Sequence, residues 1–371
     1  MTVLAERPPA IEAITGVAPG GPDGDRPRPL RRRDLDDNLS LAGAALGSLA
    51  FTWLLYYQFL PLSGVVGFVL AWYAAFLAFY AAVTWQSHPW TVVKDRLMGT
   101  VVTAGAVVVG GGLVWTIVTT FWNGFDAFTH PNFFTTSMAG VRTNAAFTQG
   151  GILHALVGSG IEIGIAVAIA LPLGLGTAVY MSEVGGRFAV VVRTVVEAMT
   201  ALPDLVAGLF IYTTLVVGLR LGRTGLAAAL AIAITMLPII ARSAEVVLRV
   251  VPGGLREAGS ALGASQWQTV WRVVLPTARP GLATALILGI ARGIGETAPV
   301  LIVSGLSTFT NADPVHNPMA SLPLFAYFAV RSPEKAYITR GYAAASVLLA
   351  VVLVLFVVVR LLARQRKATS R

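Results

Sequence analysis

The sequence predicts an all-α, polytopic membrane protein of about eight transmembrane helices, and three observations carry that prediction. Of its 371 residues, 56% are hydrophobic and only 12% are charged, a balance too apolar for a soluble chain of this size. The apolar residues gather in runs of the length that crosses a hydrocarbon core, about 20 residues each. The basic residues, which leave a net charge of +9, stand at the ends of those runs instead of forming one basic domain or stripe. They read as topology determinants, and no nucleic-acid partner is implied.

Taken in order, residues 1–37 are rich in Pro, Gly, Asp and Arg and carry too little apolar area to offset the entropy of ordering, so they predict a disordered tail. Arg26, Arg28 and Arg31 to Arg33 stand just before the first apolar run and place that tail in the cytoplasm. The run is as long as a full span and a second follows quickly, which favours a retained anchor over a cleaved signal peptide. The predicted spans are 39–60, 64–84, 97–121, 152–181, 199–219, 224–240, 277–303 and 342–362. Threaded from a cytoplasmic start, they put Lys94, Arg96, Arg187, Arg193, Arg249, Arg256, Arg272, Arg364, Arg366 and Lys367 inside, with both termini cytoplasmic. Arg220 and Arg223 fall in a short outer turn, and Arg142, Arg331, Lys335 and Arg340 in longer outer loops. A re-entrant hairpin over the fifth and sixth runs is the alternative at that place. Gly110 to Gly112 and Gly158-Ser159-Gly160 read as helix-packing surfaces, since no strand precedes them to make a dinucleotide loop.

Composition also removes several chemistries. There is no cysteine, hence no disulfide, thiolate metal site or cysteine nucleophile. His88, His130, His154 and His316 lie far apart and make no metal spacing. Lys94, Lys335 and Lys367 follow Val93, Glu334 and Arg366, so none completes a phosphate-cradling P-loop. If transport is ATP-driven, another polypeptide supplies the ATPase, and this chain binds no cofactor and does no covalent chemistry.

One polar, Gly-hinged segment is wedged between spans at 252–276. It contains Arg256-Glu257-Ala258-Gly259, then Gly263, and after nine residues Val273-Val274-Leu275-Pro276. Gly263 is expected to break it into two short helices and Pro276 to start the next helix. The spacing resembles the EAA loop of ABC-importer permeases, with Gly259 for Ala and Val273 for Ile. The alternative is an amphipathic helix lying on the membrane surface.

Further stretches resemble one branch, the A-type membrane subunits of phosphate-specific importers. They are Phe133-Phe134, Gly150-Gly151-Ile152, Ala170 to Gly174, Leu202-Pro203 with Gly208 to Tyr212, Gly293 to Pro299 and His316 to Pro323. Asp204 departs from the small Ser-like residue expected after that proline. The resemblance covers about Phe133 to the C-terminus, and implies a type I ABC-importer permease core over 152–363. Before it come an extra hairpin at 38–96 and a span with outer loop at 97–151, and after it a cytoplasmic tail at 364–371. It further implies a bacterial plasma-membrane location, a heterodimer with a C-type permease, and two ATP-binding subunits that carry ATP and Mg. An extracytoplasmic phosphate-binding protein and the lipid bilayer complete the partners. Arg256, Glu257, Ala258, Gly259, Gly263, Leu275 and Pro276 become the candidate ATPase-coupling residues.

Arg292 and Glu296 stand four residues apart in the seventh run, on one expected helix face. Charges at mid-bilayer cost about 2.5–3.5 kcal/mol each, so the pair should face protein or water. It is either a neutralising salt bridge or the group that meets phosphate, with Glu296 moderating the affinity of Arg292. Arg242 and Glu245 form a second pair before the elbow, either a cytoplasmic gate or snorkelling end charges. Glu162 has no sequence partner and is assigned to an Arg of the second permease or to the outer surface. Two rivals stand beside the phosphate reading: a permease for molybdate or sulfate, and an ion-coupled secondary transporter. The second of these should carry an inverted repeat.

Overall fold

The computed structural model describes residues 35–60 and 62–364; the expected N-terminal and C-terminal tails lie almost wholly outside them. Among the described residues there are helices and no strands. Among the described residues seven helices are long and apolar enough to cross a membrane, eight if one bent pair counts as a span.

Two compact units divide at Gly111 and Gly112. The first holds α1 (Leu35–Trp53, prolonged by a π-helical turn Leu54–Phe59) and α2 (Val65–Ser87). These pair through Phe51 on Phe79 at 5.6 Å and the Trp72 indole N–H donating to the Ala45 carbonyl. The division falls inside α3 (Trp90–Phe128), a continuous 39-residue helix. The third span, expected from 97, starts earlier, because the polar Lys94, Asp95 and Arg96 lie within this one uninterrupted helix. At Gly110, Gly111 and Gly112 no described atom beyond the helix itself lies within 4 Å of a would-be Cβ.

The second unit continues with α4 (Asn132–Thr135), α5 (Leu153–Val179, with a π-turn to Val184), α6 (Gly186–Ala201) and α7 (Asp204–Ile211, with a π-turn to Gly218). Then come α8 (Gly225–Val250), α9 (Gly253–Ala261), α10 (Gln266–Thr269), α11 (Leu275–Ile294), α12 (Ala298–Val303), α13 (Leu322–Val330) and α14 (Lys335–Arg364). Central α8 is the most buried span, because small side chains at Ala227, Ala228, Ala231, Ala241 and Ala244 let neighbouring helices approach closely. Its Met236 and Ile240 fill the space that Gly293 and Gly289 leave on α11.

Four expected boundaries are corrected. The fifth run is not one helix: α6 and α7 meet at 99° across Leu202 and Pro203, both extended. A residue before proline avoids the α region, and Pro203 has no amide to continue the ladder. The sixth run goes on to Val250, so Arg242, Glu245 and Arg249 ride on α8. The eighth begins at Lys335, which puts Lys335 and Arg340 on α14 instead of in a loop. Polar overhangs of a helix escape a hydropathy window. The seventh stops at Ile294 and resumes as α12 after Gly295, Glu296 and Thr297.

Gly158 on α5 lies so close to the Ala320 carbonyl that a Cβ would overlap it, whereas Gly160 faces open space. Gly158→Val is expected to lower the yield of folded protein sharply and Gly160→Val to leave it near wild type, since overpacking a filled contact costs about 1–3 kcal/mol. Fluorescence-detected size-exclusion of membrane extracts checks the pair.

Candidate functional site: a charged cavity and a docking elbow

Where α6 breaks into α7, Asp204 becomes the first residue of a helix, a position that favours a carboxylate. Across from it Arg292 occupies the last turn of α11. The Arg292 Nη2 donates to Asp204 Oδ2 at 2.6 Å, and its Nε lies 3.2 Å from Glu296 Oε1. Glu296 is just past the helix end, in the break, and not on the α11 face as expected from a continuous span. It is buried, while Arg292 is half exposed. Asp204 and Arg292 line a cavity of about 260 Å³ together with Thr200, Ile234, Thr235 and Ile239, while Glu296 is buried against Arg292. The Thr200 and Thr235 hydroxyls donate to the Glu197 and Ile232 carbonyls, so both are committed within their own helices. Among the described residues Arg292 is the one cationic group lining the cavity. Asp204 was singled out in the sequence only as a departure; its charge directly after a proline in an apolar run was the available signal.

Arg242 and Glu245 do meet, at 3.2 Å, but as part of a larger cluster. Glu245 is almost wholly buried, and its Oε1 accepts from Arg193 of α6 at 2.8 Å and from Arg249 at 2.7 Å. Arg242 also pairs with Glu197 on α6 at 3.2 Å. The cluster clamps α6 to α8. Sequence reasoning missed Arg193, 52 residues away, because only the fold brings it there. Glu162 is corrected as well: it is fully buried within this chain, 2.8 Å from Ser304 Oγ, whose single hydroxyl proton is shared between the Glu162 carboxylate and the Met319 carbonyl. It lies neither at the surface nor free for a second subunit.

The elbow is built by α9 and α10. After α9 the chain turns through Gly263 at φ +78, where the Ala264 amide donates to the Gly259 carbonyl. Such a left-handed residue closes a helix C-terminus and is usually glycine. Ser265 then caps α10, accepting from the Gln268 amide while the Gln268 side chain accepts from the Ser265 amide. This capping box starts the next helix. Pro276 stands in the first turn of α11, as expected, but α11 is not separate from α10: a π-turn Val270–Val274 joins them into one apolar span over 266–294. The widened turn accommodates the missing amide and the proline ring. Gly259 packs on Thr269, whose Oγ1 would be 2.9 Å from an added Cβ, so the two arms touch where a larger residue would push them apart.

Arg256 faces inward. Its Nε and Nη2 donate to the Glu183 carboxylate at 3.0 and 2.8 Å, and its Nη1 and Nη2 to the Val251 and Leu248 carbonyls. The Glu183 hydrogen bonds hold the guanidinium still more firmly protonated than usual. Gln266 adds a bond to the Glu183 carbonyl, so the end of α5 anchors both arms of the elbow. Glu257, Ala258, Ser260, Ala261 and Leu262 remain exposed on its outer face, Leu262 by 89%. Leu275 and Pro276 are partly buried behind it.

Gly263→Val is expected to leave the amount in the membrane unchanged while weakening capture of a partner ATPase. There is open space for the side chain, so the penalty is the left-handed backbone, about 1–2 kcal/mol. Co-purification tests this, and wild-type capture would remove the elbow bend from the coupling account.

Comparison with known proteins places these features. Residues 170–368 match the family model described as "Binding-protein-dependent transport system inner membrane component". The chain is 40% identical over 241 residues to "Phosphate transport system permease protein PstA 1" of Mycobacterium tuberculosis, covering 65% of this chain and 79% of that protein. It is 32% identical to the protein named PstA in Haemophilus influenzae, covering 69% and 88%. Among solved structures, an inward-facing methionine ABC transporter matches with a TM-score of 0.45 and 23% identity, over 60% of this chain and 95% of that one. The family match spans more than half of the sequence and includes the elbow, Asp204, Arg292 and Glu296, and the chain therefore belongs to the family of binding-protein-dependent transport system inner membrane components.

Proposed function

We propose that this chain is the membrane permease subunit of an ATP-driven importer of inorganic phosphate, forming half of the translocation pathway. The observation that carries the reading is Arg292, held between Asp204 and Glu296 at the rim of a cavity where two helices are broken. Relatives named as phosphate transport permeases support the choice of substrate.

The trio carries one positive and two negative charges, so the guanidinium is fully countered at rest. An entering oxyanion takes the place of the Asp204 carboxylate, and when the pathway changes shape Asp204 returns and displaces it. Two competing carboxylates thus keep the affinity low enough for release. They also favour phosphate over sulfate. Phosphate keeps at least one proton near neutral pH and donates it to a carboxylate, whereas sulfate has none and meets only repulsion.

The elbow at 252–276 takes an ATP-binding partner, which carries the ATP and Mg, and its motion reaches the bundle through Glu183 on α5 and the continuous span at 266–294. A second, C-type permease completes the channel, a second ATP-binding subunit docks beneath it, and a binding protein delivers phosphate on the outer side. Both termini are cytoplasmic. Reconstitution of the four components in liposomes should give ATP-dependent uptake of labelled phosphate well above sulfate or molybdate. Equal uptake of the three anions would instead favour a general oxyanion permease.

A further inference from the structure

A groove of about 940 Å³ in the second unit lies between the end of α3 and the start of α14, and neither Arg292 nor any elbow residue lines it. The two helices touch at Gly124, where an added Cβ would be 2.6 Å from the Ala343 amide nitrogen. On the flank of that crossing the walls are apolar, with Ile117, Val118 and Phe121 on α3 and Ile338 and Tyr342 on α14. At its rim stand Asp126 and Lys335. Both are exposed, and among the described residues neither charge has an ion-pair partner, although they line the same groove.

The depth matches one leaflet. From Asp126 to Ile117 is nine residues, about 13–14 Å along a helix, close to half of a hydrocarbon core about 30 Å thick. Trp122, 81% exposed near the rim, is the kind of residue that sits at headgroup level. The rim also belongs to the end of the bundle away from the elbow. The Glu183 end of α5 holds Arg256, whereas the start of α5 lies beside the loop carbonyls of Ala145, Ala146 and Gln149 that Arg340 of α14 binds.

We propose that this groove holds one zwitterionic phospholipid of the outer leaflet, its phosphate at Lys335, its amine at Asp126 and an acyl chain along Ile117, Val118 and Ile338. Charge decides the ligand class. A headgroup with an anionic and a cationic part satisfies both rim residues, while an anionic headgroup answers Lys335 and is repelled by Asp126. The volume falls within the range of established ligand sites, about 300–1,000 Å³. Only the choice of leaflet rests on the cytoplasmic placement of the elbow.

The test is native mass spectrometry of the assembled, delipidated transporter titrated with phosphatidylethanolamine or phosphatidylglycerol. It needs neither phosphate nor ATP, so its outcome is separate from that of any transport assay. Wild type should retain one phosphatidylethanolamine at this site with about tenfold preference. Lys335→Gln should weaken that retention about tenfold, Asp126→Asn should remove the preference by admitting phosphatidylglycerol, and Val118→Trp should exclude both lipids. Equal retention of the two lipids by wild type, or no effect of the three variants, overturns the proposal. So does a photo-crosslinker at Ile338 that labels another subunit in place of lipid.

Discussion

Arg292→Ala is expected to cut phosphate uptake by about 10- to 100-fold, the equivalent of one charge-assisted hydrogen bond of about 1.5–3 kcal/mol, while the protein still assembles and captures its ATPase. Among the described residues the variant removes the one cation lining the cavity and leaves Asp204 on its wall and the buried Glu296 without their guanidinium partner, so an incoming anion meets uncompensated negative charge. Arg292→Lys should retain part of the activity, because a point charge replaces the fork but reaches only one carboxylate at a time. The exchange Arg292→Glu with Glu296→Arg should restore assembly better than transport, since it keeps the pair neutral but moves the cation into the break beyond α11. Labelled phosphate uptake in membrane vesicles, normalised to the amount of assembled complex, measures all three. Normal uptake by Arg292→Ala with reduced abundance as its only defect would make the trio a structural clasp.

Arg256→Ala is expected to separate ATP hydrolysis from transport. Glu183 is only 5% exposed and takes two hydrogen bonds from Arg256, so removing the guanidinium strands a buried carboxylate at a cost of about 3–5 kcal/mol. The end of α5 and the elbow would lose their ion-pair anchor, leaving the Gln266 hydrogen bond and the apolar packing of Val179 with Val251 and Val270. The double variant Arg256→Met with Glu183→Met removes both charges and fills the space, and should recover folding and ATPase capture well beyond either single change. A double-mutant cycle on co-purification and uptake reads the coupling. If the single and double variants behave alike, the ion pair does not hold the elbow in place.

What could be read in the sequence was whatever depends on local period and spacing. Span existence followed from apolar run length, and the elbow from the separation of Glu257, Gly263 and Pro276. What escaped depends on contacts between distant residues. Asp204 and Arg292 are 88 residues apart, Glu183 and Arg256 are 73, and no run of hydropathy pairs them. The right-angled break at Leu202 and Pro203 was hidden because the apolar run continues across it, and the π-turn that joins α10 to α11 ahead of Pro276 leaves no mark in the hydropathy. Glu162 shows the same limit: its place in the core follows from Ser304, 142 residues away.

The central claim is that Arg292 meets the transported anion. The most direct measurement is phosphate moved per ATP hydrolysed in proteoliposomes holding the complete importer. For Arg292→Ala the account predicts hydrolysis within about twofold of wild type, because the elbow and its Glu183 anchor are untouched, and a ratio lower by about tenfold or more. An unchanged ratio, with uptake and hydrolysis falling together or not at all, would contradict it.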